Sequence, residues 1–246
     1  MYGLGLQPSP PDARDHILSA SAIQSAAAGV VIPDVFAVKG MPPHLDQNGY
    51  PHCTAYAGNQ AKRWQEKRDG HGLRQYDQAK MYRWQKQLPD GIPGEGSTGK
   101  AWCEVARKKG IPLKGTNKGV DKIAGYWRVD IGDDIDALLA AIVVFGPVMM
   151  GCEWPKSWLP SNAYQGVVPP PSGGMVGGHE TLIVGYNKHQ PETKGLALID
   201  WGSWGNYPGS TGGGNVWIPV KYLSTHESPG KVQVWEMWKT KDIVGD

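Results

Sequence analysis

The chain has 246 residues and a formal net charge of +2, enough length to bury a core without disulfide support. Its Lys, Arg, Asp and Glu are evenly scattered, which excludes the basic stripe of a nucleic-acid binder and the acidic tail of a charged-partner protein. No run approaches the ~20 apolar residues of a membrane span, and MYGLGLQPSPPDARDHILSASA lacks the cationic-then-apolar pattern of a secretory signal. The expectation is therefore a protein of the cytoplasm or another reducing compartment, with no membrane and no nucleic acid as partner. Three cysteines, Cys53, Cys103 and Cys152, allow at most one disulfide and have no metal-type spacing, and neither metal nor cofactor is implied.

In chain order, residues 1–45 are rich in Pro and small residues and are expected to be largely extended. From Cys53 the pattern is helical, with Tyr56, Ala57, Ala61 and Trp64 recurring on one face and small residues in the first two turns. RQYDQAKMYRWQKQL reads as a second helix with Met81, Trp84 and Leu88 on one side, ended by the turn signal Pro89-Asp90-Gly91. STGKAWCEVARKKG reads as a third, capped by Ser97 or Thr98, with Trp102, Val105 and Ala106 inward and Gly110 as its stop. DDIDALLAAIVVFGP reads as a fourth, with Asp133 as N-cap. The short apolar runs VMMGCEW, TLIVGYN, LALID, NVWIPV and VQVWEMW then predict strands of a largely antiparallel sheet or barrel. The fold class is α+β, divided into an extended segment over 1–49, a helical part over 50–125 and a β-rich part over 126–246. A cleft between two packed lobes is where a site usually lies.

Three stretches carry chemistry. In DQNGYPHC, Cys53 stands where a loop meets a helix, so its sulfur lies at the positive end of the helix dipole, which favours thiolate, the reactive form. An isolated cysteine is also a common small core residue. In GGMVGGHETLIVGYN, His179 opens an apolar strand after a glycine-rich approach; it is either an acid and base for a nearby thiol or a histidine satisfied at a strand start. In ALIDWGSWGNYPG, a polar group can accept the imidazole N–H while a tryptophan shields that bond; the alternative is a turn packed on the sheet.

Together these stretches resemble the papain family of cysteine peptidases. Gln47, five intervening residues and Cys53 match the start of that family's central helix, and His179-Glu-Thr-Leu-Ile-Val-Gly-Tyr186 matches its histidine strand. GEGSTGKAW is similar to the glycine-bearing wall of its cleft, FGPV to the start of its second lobe, and PPDARD to the leader of bacterial and archaeal relatives. The resemblance implies a helical left lobe packed on a β-barrel-like right lobe, a peptide or protein substrate, Cys53 as nucleophile and His179 as acid and base. It also implies that Gln47 supplies an amide to the oxyanion hole beside the Cys53 backbone N–H. Gly96, Gly178, Trp201 and Trp204 would line the substrate cleft.

Several positions depart from the family. Aligning Ser203-Trp204-Gly205 with the family's Asn-Ser-Trp-Gly puts Gly202 at the Asn place and leaves no third catalytic side chain; a short deletion puts Asp200 there, with Asn206 a further candidate. Asp200 is the favoured choice. Tyr50 replaces the usual half-cystine, Thr54 the usual Trp, and His52 reads as a loop residue rather than a second base. Only 52 residues precede Cys53, so no long inhibitory propeptide is expected, and control is assigned to location, a partner or the loop GVVPPPSGGMVGG moving across His179. The leading expectation is a thiol endopeptidase. The alternatives are a catalytically impaired protein of the same fold that binds or assembles, and a cell-wall peptide amidase or acyltransferase.

Overall fold

The computed structural model describes residues 3–89, 92–116, 118–159, 166–205 and 215–242. The segment expected to be extended carries regular structure: β1 (Ile17–Ser19), the short helix α1 (Ala20–Ala26) and β2 (Val35–Ala37). The side chain of Ser19 caps α1, and Ile23 pins it into the core with no exposure to solvent, so one buried apolar residue and a cap suffice where the periodicity is too short to read.

The helical part follows the sequence pattern. α2 (Cys53–Arg68) is buried along nearly its whole length, which explains the small residues of its first turns. A Cβ at Gly58 would stand 2.2 Å from the ring of Trp102, and the Trp102 indole N–H donates to Asn59 Oδ1 at 2.9 Å, so the glycine lets the next helices approach. α3 (Gln78–Lys86) starts at Asp77, whose carboxylate accepts from Lys80 N. Its predicted stop at Pro89-Asp90-Gly91 lies partly outside the described residues. α4 (Gly99–Lys108) takes Thr98, not Ser97, as its cap, with Ala101 N donating to Thr98 Oγ1 at 3.0 Å.

β3 (Ile111–Pro112) and β4 (Gly119–Val120) form a small ribbon, and β5 (Ile123–Asp130), which sequence reading missed, enters the main sheet. α5 (Ile135–Phe145) is capped by Asp134 and not Asp133: Asp134 Oδ1 accepts from Ala137 N at 3.0 Å. Adjacent aspartates offer the same chemistry, and only the backbone turn selects between them.

The remaining strands are β6 (Val148–Pro155), β7 (Met175–Gln190), β8 (Gly195–Trp201), β9 (Asn215–Pro219), β10 (Leu223–Ser224) and β11 (Val232–Asp242). They complete a nine-stranded sheet in the order β1-β5-β11-β6-β7-β8-β9, with β2 beside β7 and β10 beside β11. Its end strands β1 and β9 do not pair with each other among the described residues, so the sheet is barrel-like and open. Alternation along the strands serves two cores. Val148, Met150, Cys152 and Ile183 pack with α5 and Ile23, while Met149, Leu182, Val184 and Trp238 pack with α2 and α4. The same period of two residues therefore fixes both faces.

Candidate active site

The start of α2 and the strand β7 converge on one place. Cys53 is the first residue of α2, preceded by His52, which gives the helix no side-chain cap. Its sulfur is hydrogen-bonded by backbone groups of Thr54, Glu180 and Gly5. Glu180 follows His179 on β7, so the strand that carries the imidazole residue passes the start of α2.

Both are fully buried. Burial pushes the Cys53 thiol up to about 12, against the downward pull of its backbone hydrogen bonds, and pushes His179 down to about 3. The helix terminus alone would favour thiolate; exclusion of water outweighs it, and the pair in this state is neutral thiol and neutral imidazole.

What excludes water is the chain's own residues 3–9. Leu6 N donates to Gly178 O at 3.0 Å on one side, and on the other Ser97 N donates to Gly5 O at 2.7 Å and Gln7 N to Ser97 O at 2.8 Å. Gly3 and Gly5 are required by close approach: a Cβ on either would stand 1.8 Å from Tyr50 O or 2.1 Å from Pro51 O. Gly96 and Gly178 both approach this segment closely, with Gly5 O and Leu6 O at 2.6 and 2.5 Å from the positions a Cβ would take. The stretch GVVPPPSGGMVGG is not a free flap. Its end is the start of β7, paired with β6, and its middle is tied by Trp158 Nε1 donating to Pro169 O at 2.7 Å and Ser157 Oγ donating to Pro170 O at 3.2 Å.

Gln47 is buried and doubly anchored. Its N–H donates to Ser203 O at 2.8 Å, and its side-chain Oε1 accepts from the Ser203 hydroxyl. That bond turns Nε2 toward two carbonyls, Tyr50 O at 2.8 Å and Gly3 O. The amide therefore holds a peptide carbonyl of the segment that fills the cleft. Ser203 was not foreseen as its anchor, because the two are 156 residues apart and no local pattern links them.

The surroundings of His179 are aromatic. Trp204 stacks on the imidazole with centroids 4.3 Å apart and planes 10° from parallel, and Trp154 meets it edge-on at 4.7 Å. Trp201 instead stacks on His44 at 4.0 Å. Trp204, not Trp201, is therefore the tryptophan that covers His179. Asp200 accepts from the Thr181 hydroxyl and is not hydrogen-bonded to His179, neither of whose ring nitrogens has a hydrogen-bond partner among the described residues. Asp200 is buried and pushed up to about 7 by that burial. Asn206 lies outside the described residues.

The departures around the cysteine have structural explanations. Thr54 donates to Gln85 Oε1 at 2.8 Å and joins α2 to α3. His52 stacks between Tyr50 and Tyr82, with centroids at 5.4 and 4.1 Å. All three cysteines are free and buried. Among the described residues no group of three or more His, Cys, Asp or Glu could hold a metal ion, and no helix is long and apolar enough to cross a membrane.

No protein-family model matches the chain, and no curated protein matches it significantly. Solved structures do. Xylellain, a cysteine protease from Xylella fastidiosa, superposes with a TM-score of 0.77 at 23% identity over 98% of this chain and 97% of its own. Digestive procathepsin L2 from the larval midgut of Tenebrio molitor superposes with 0.73 at 18% identity, over 98% and 78% respectively. Bromelain from Ananas comosus, solved with the E64 inhibitor, gives 0.62 at 16% identity, over 86% and 100%. The chain has the papain-like cysteine protease fold.

Proposed function

We propose that this protein is a thiol peptidase of papain-like mechanism, with its cleft filled by its own residues 3–9. The observation that carries the reading is the Gly3 carbonyl held by Gln47 Nε2 while Gly5 hydrogen-bonds the Cys53 sulfur. A peptide backbone thus lies against both the donor and the nucleophile. With that segment displaced by a substrate, the thiol proton passes to His179 and the sulfur attacks the scissile carbonyl carbon. The carbonyl electron pair moves onto oxygen, held by the Gln47 amide and the Cys53 N–H. Collapse breaks the C–N bond, and the amine leaves with the proton from His179. Water then attacks the thioester carbon and gives a proton to His179; collapse breaks the C–S bond, releasing the carboxylic acid, and the sulfur leaves with that proton as the thiol.

Trp204 takes part by fixing the imidazole plane from one face, in place of an acceptor side chain at Gly202. The three free thiols fit a reducing compartment, and the substrate is a peptide or protein. The test is labelling by iodoacetamide or an epoxide together with cleavage of a peptide library. Cys53 should react faster than Cys103 and Cys152 once the cleft segment is displaced, and Cys53→Ala and His179→Ala should each abolish cleavage. The burial of both groups and the lack, among the described residues, of a hydrogen-bond partner for either His179 ring nitrogen favour a second reading, a catalytically silent peptide-binding module. Equal labelling of all three thiols with stable capture of a partner selects it.

A further inference from the structure

Three neighbouring strands place Glu180, Gly151 and Glu236 side by side: Gly151 pairs with Glu180 across β6 and β7, and with Glu236 across β6 and β11. Because the middle residue has no side chain, the two glutamates share one hollow. A Cβ at Gly151 would stand 2.9 Å from Glu180 Oε2, 2.9 Å from Glu236 Cγ and 2.7 Å from Leu6 Cδ2. The leucine of the N-terminal segment is thus seated over Gly151, beside the Glu180 carboxyl and the Glu236 side chain.

Both glutamates are buried, at 0% and 3% exposure. Glu236 is satisfied by Gly99 N at 2.8 Å and Ser9 N at 2.9 Å. Neither oxygen of Glu180 has a hydrogen-bond partner among the described residues, and the charge it feels is the like charge of Glu236. An orphaned carboxyl under a leucine is costly as core packing. It is well suited to a cation that arrives from outside, since a guanidinium supplies several donors to paired carboxylates and an ammonium supplies three.

We propose that the hollow beneath Leu6 is a specificity subsite for an arginine or lysine side chain of the bound peptide, with Glu180 and Glu236 as its recognising groups and Gly151 as its floor. This rests on the cleft binding peptides as described above. Leu6 occupies the subsite with an apolar side chain that makes neither charge-assisted bond, so a cationic peptide competes for it on favourable terms.

One experiment uses the full chain and needs no catalysis. Leu6→Arg and Leu6→Lys, compared with Leu6→Met, bring a cation to the hollow on the protein's own segment. A rise in Tm of about 2 to 4 °C over Leu6→Met, lost when Glu180→Gln is combined with either, is the expected result. A fall in Tm for both cationic variants that is the same with and without Glu180→Gln overturns the proposal. A second arm measures kcat/KM for paired peptides differing only by Arg or Leu. A preference for Arg that Glu180→Gln reduces at least ~10-fold is expected; cleavage without such a preference removes the subsite and leaves the peptidase. If no peptide is cleaved while Leu6→Arg still raises Tm in a way that depends on Glu180, the subsite stands and the peptidase reading falls.

Discussion

The indole of Trp204 lies flat on the imidazole of His179, 4.3 Å between centroids and 10° from parallel. No hydrogen bond fixes the ring among the described residues, so stacking is what sets its plane. Trp204→Ala should lower kcat on the order of 10²-fold through misorientation, with KM little changed. Trp204→Phe should recover much of the loss, because a flat ring is restored. Steady-state kinetics of both variants check this; an equal loss in both would assign Trp204 to packing alone.

Burial holds the Cys53 thiol up at about 12, so alkylation of the closed protein should be slow at neutral pH and still rising with pH well above it. Gly5→Val should expel the cleft segment, since even a Cβ there would stand 2.1 Å from Pro51 O. Each unit by which the thiol then falls gives ~10-fold more thiolate at fixed pH. Rates of iodoacetamide labelling against pH, for the protein and Gly5→Val, read this directly.

Gln47 joins the Ser203 hydroxyl to the Gly3 carbonyl, the place the proposed mechanism gives to the scissile carbonyl. Gln47→Ala should cut turnover ~10²- to 10³-fold, the usual effect of losing one oxyanion donor. Ser203→Ala should give a smaller loss, because the amide keeps its donors and loses only its anchor. Turnover of a single peptide by the two variants ranks them.

Asp200 is raised by burial from 3.8 to about 7. The folded state therefore holds the proton more tightly than the unfolded chain between those values, and stability is full below pH ~4 and declines as pH rises toward 7. The buried Glu180 and Glu236 are raised as well and act in the same direction. Asp200→Asn should flatten part of that decline, on the order of a few kcal/mol. Urea unfolding across pH 4 to 8 for the two proteins measures the difference.

Gly58 leaves no room for a methyl group beside Trp102. Gly58→Ala should destabilise by ~1 to 3 kcal/mol through overpacking, even though alanine is the better helix former. The shift in the denaturation midpoint checks it.

Among the described residues, four of the five α-helices and the strands β6, β7, β8, β9 and β11 were legible because each signal is local. Thr98 sits one helical step from the N–H it caps, and Met149 and Met150 alternate faces as any strand must. The helix that opens at Cys53 and the apolar strand that carries His179 were legible for a related reason, since a change of hydrophobic period marks each. The cap of α5 shifted from Asp133 to Asp134, a choice made by the backbone turn. Asp200 was placed by spacing near a tryptophan and a glycine, yet β8 aims its carboxylate at Thr181.

Residue order along the chain by itself determined the α+β class, the apolar strand that carries His179 and the cysteine at a helix start, because hydrophobic period, caps and turns act over a few residues. Only the tertiary structure decided that Trp204 covers His179, that residues 3–9 lie against Gln47 and Cys53, and that Glu180 and Glu236 meet over Gly151. Each of those depends on which distant strands become neighbours and on how much water their meeting excludes. Burial then sets the protonation of the cysteine and the histidine, a quantity that no local pattern contains.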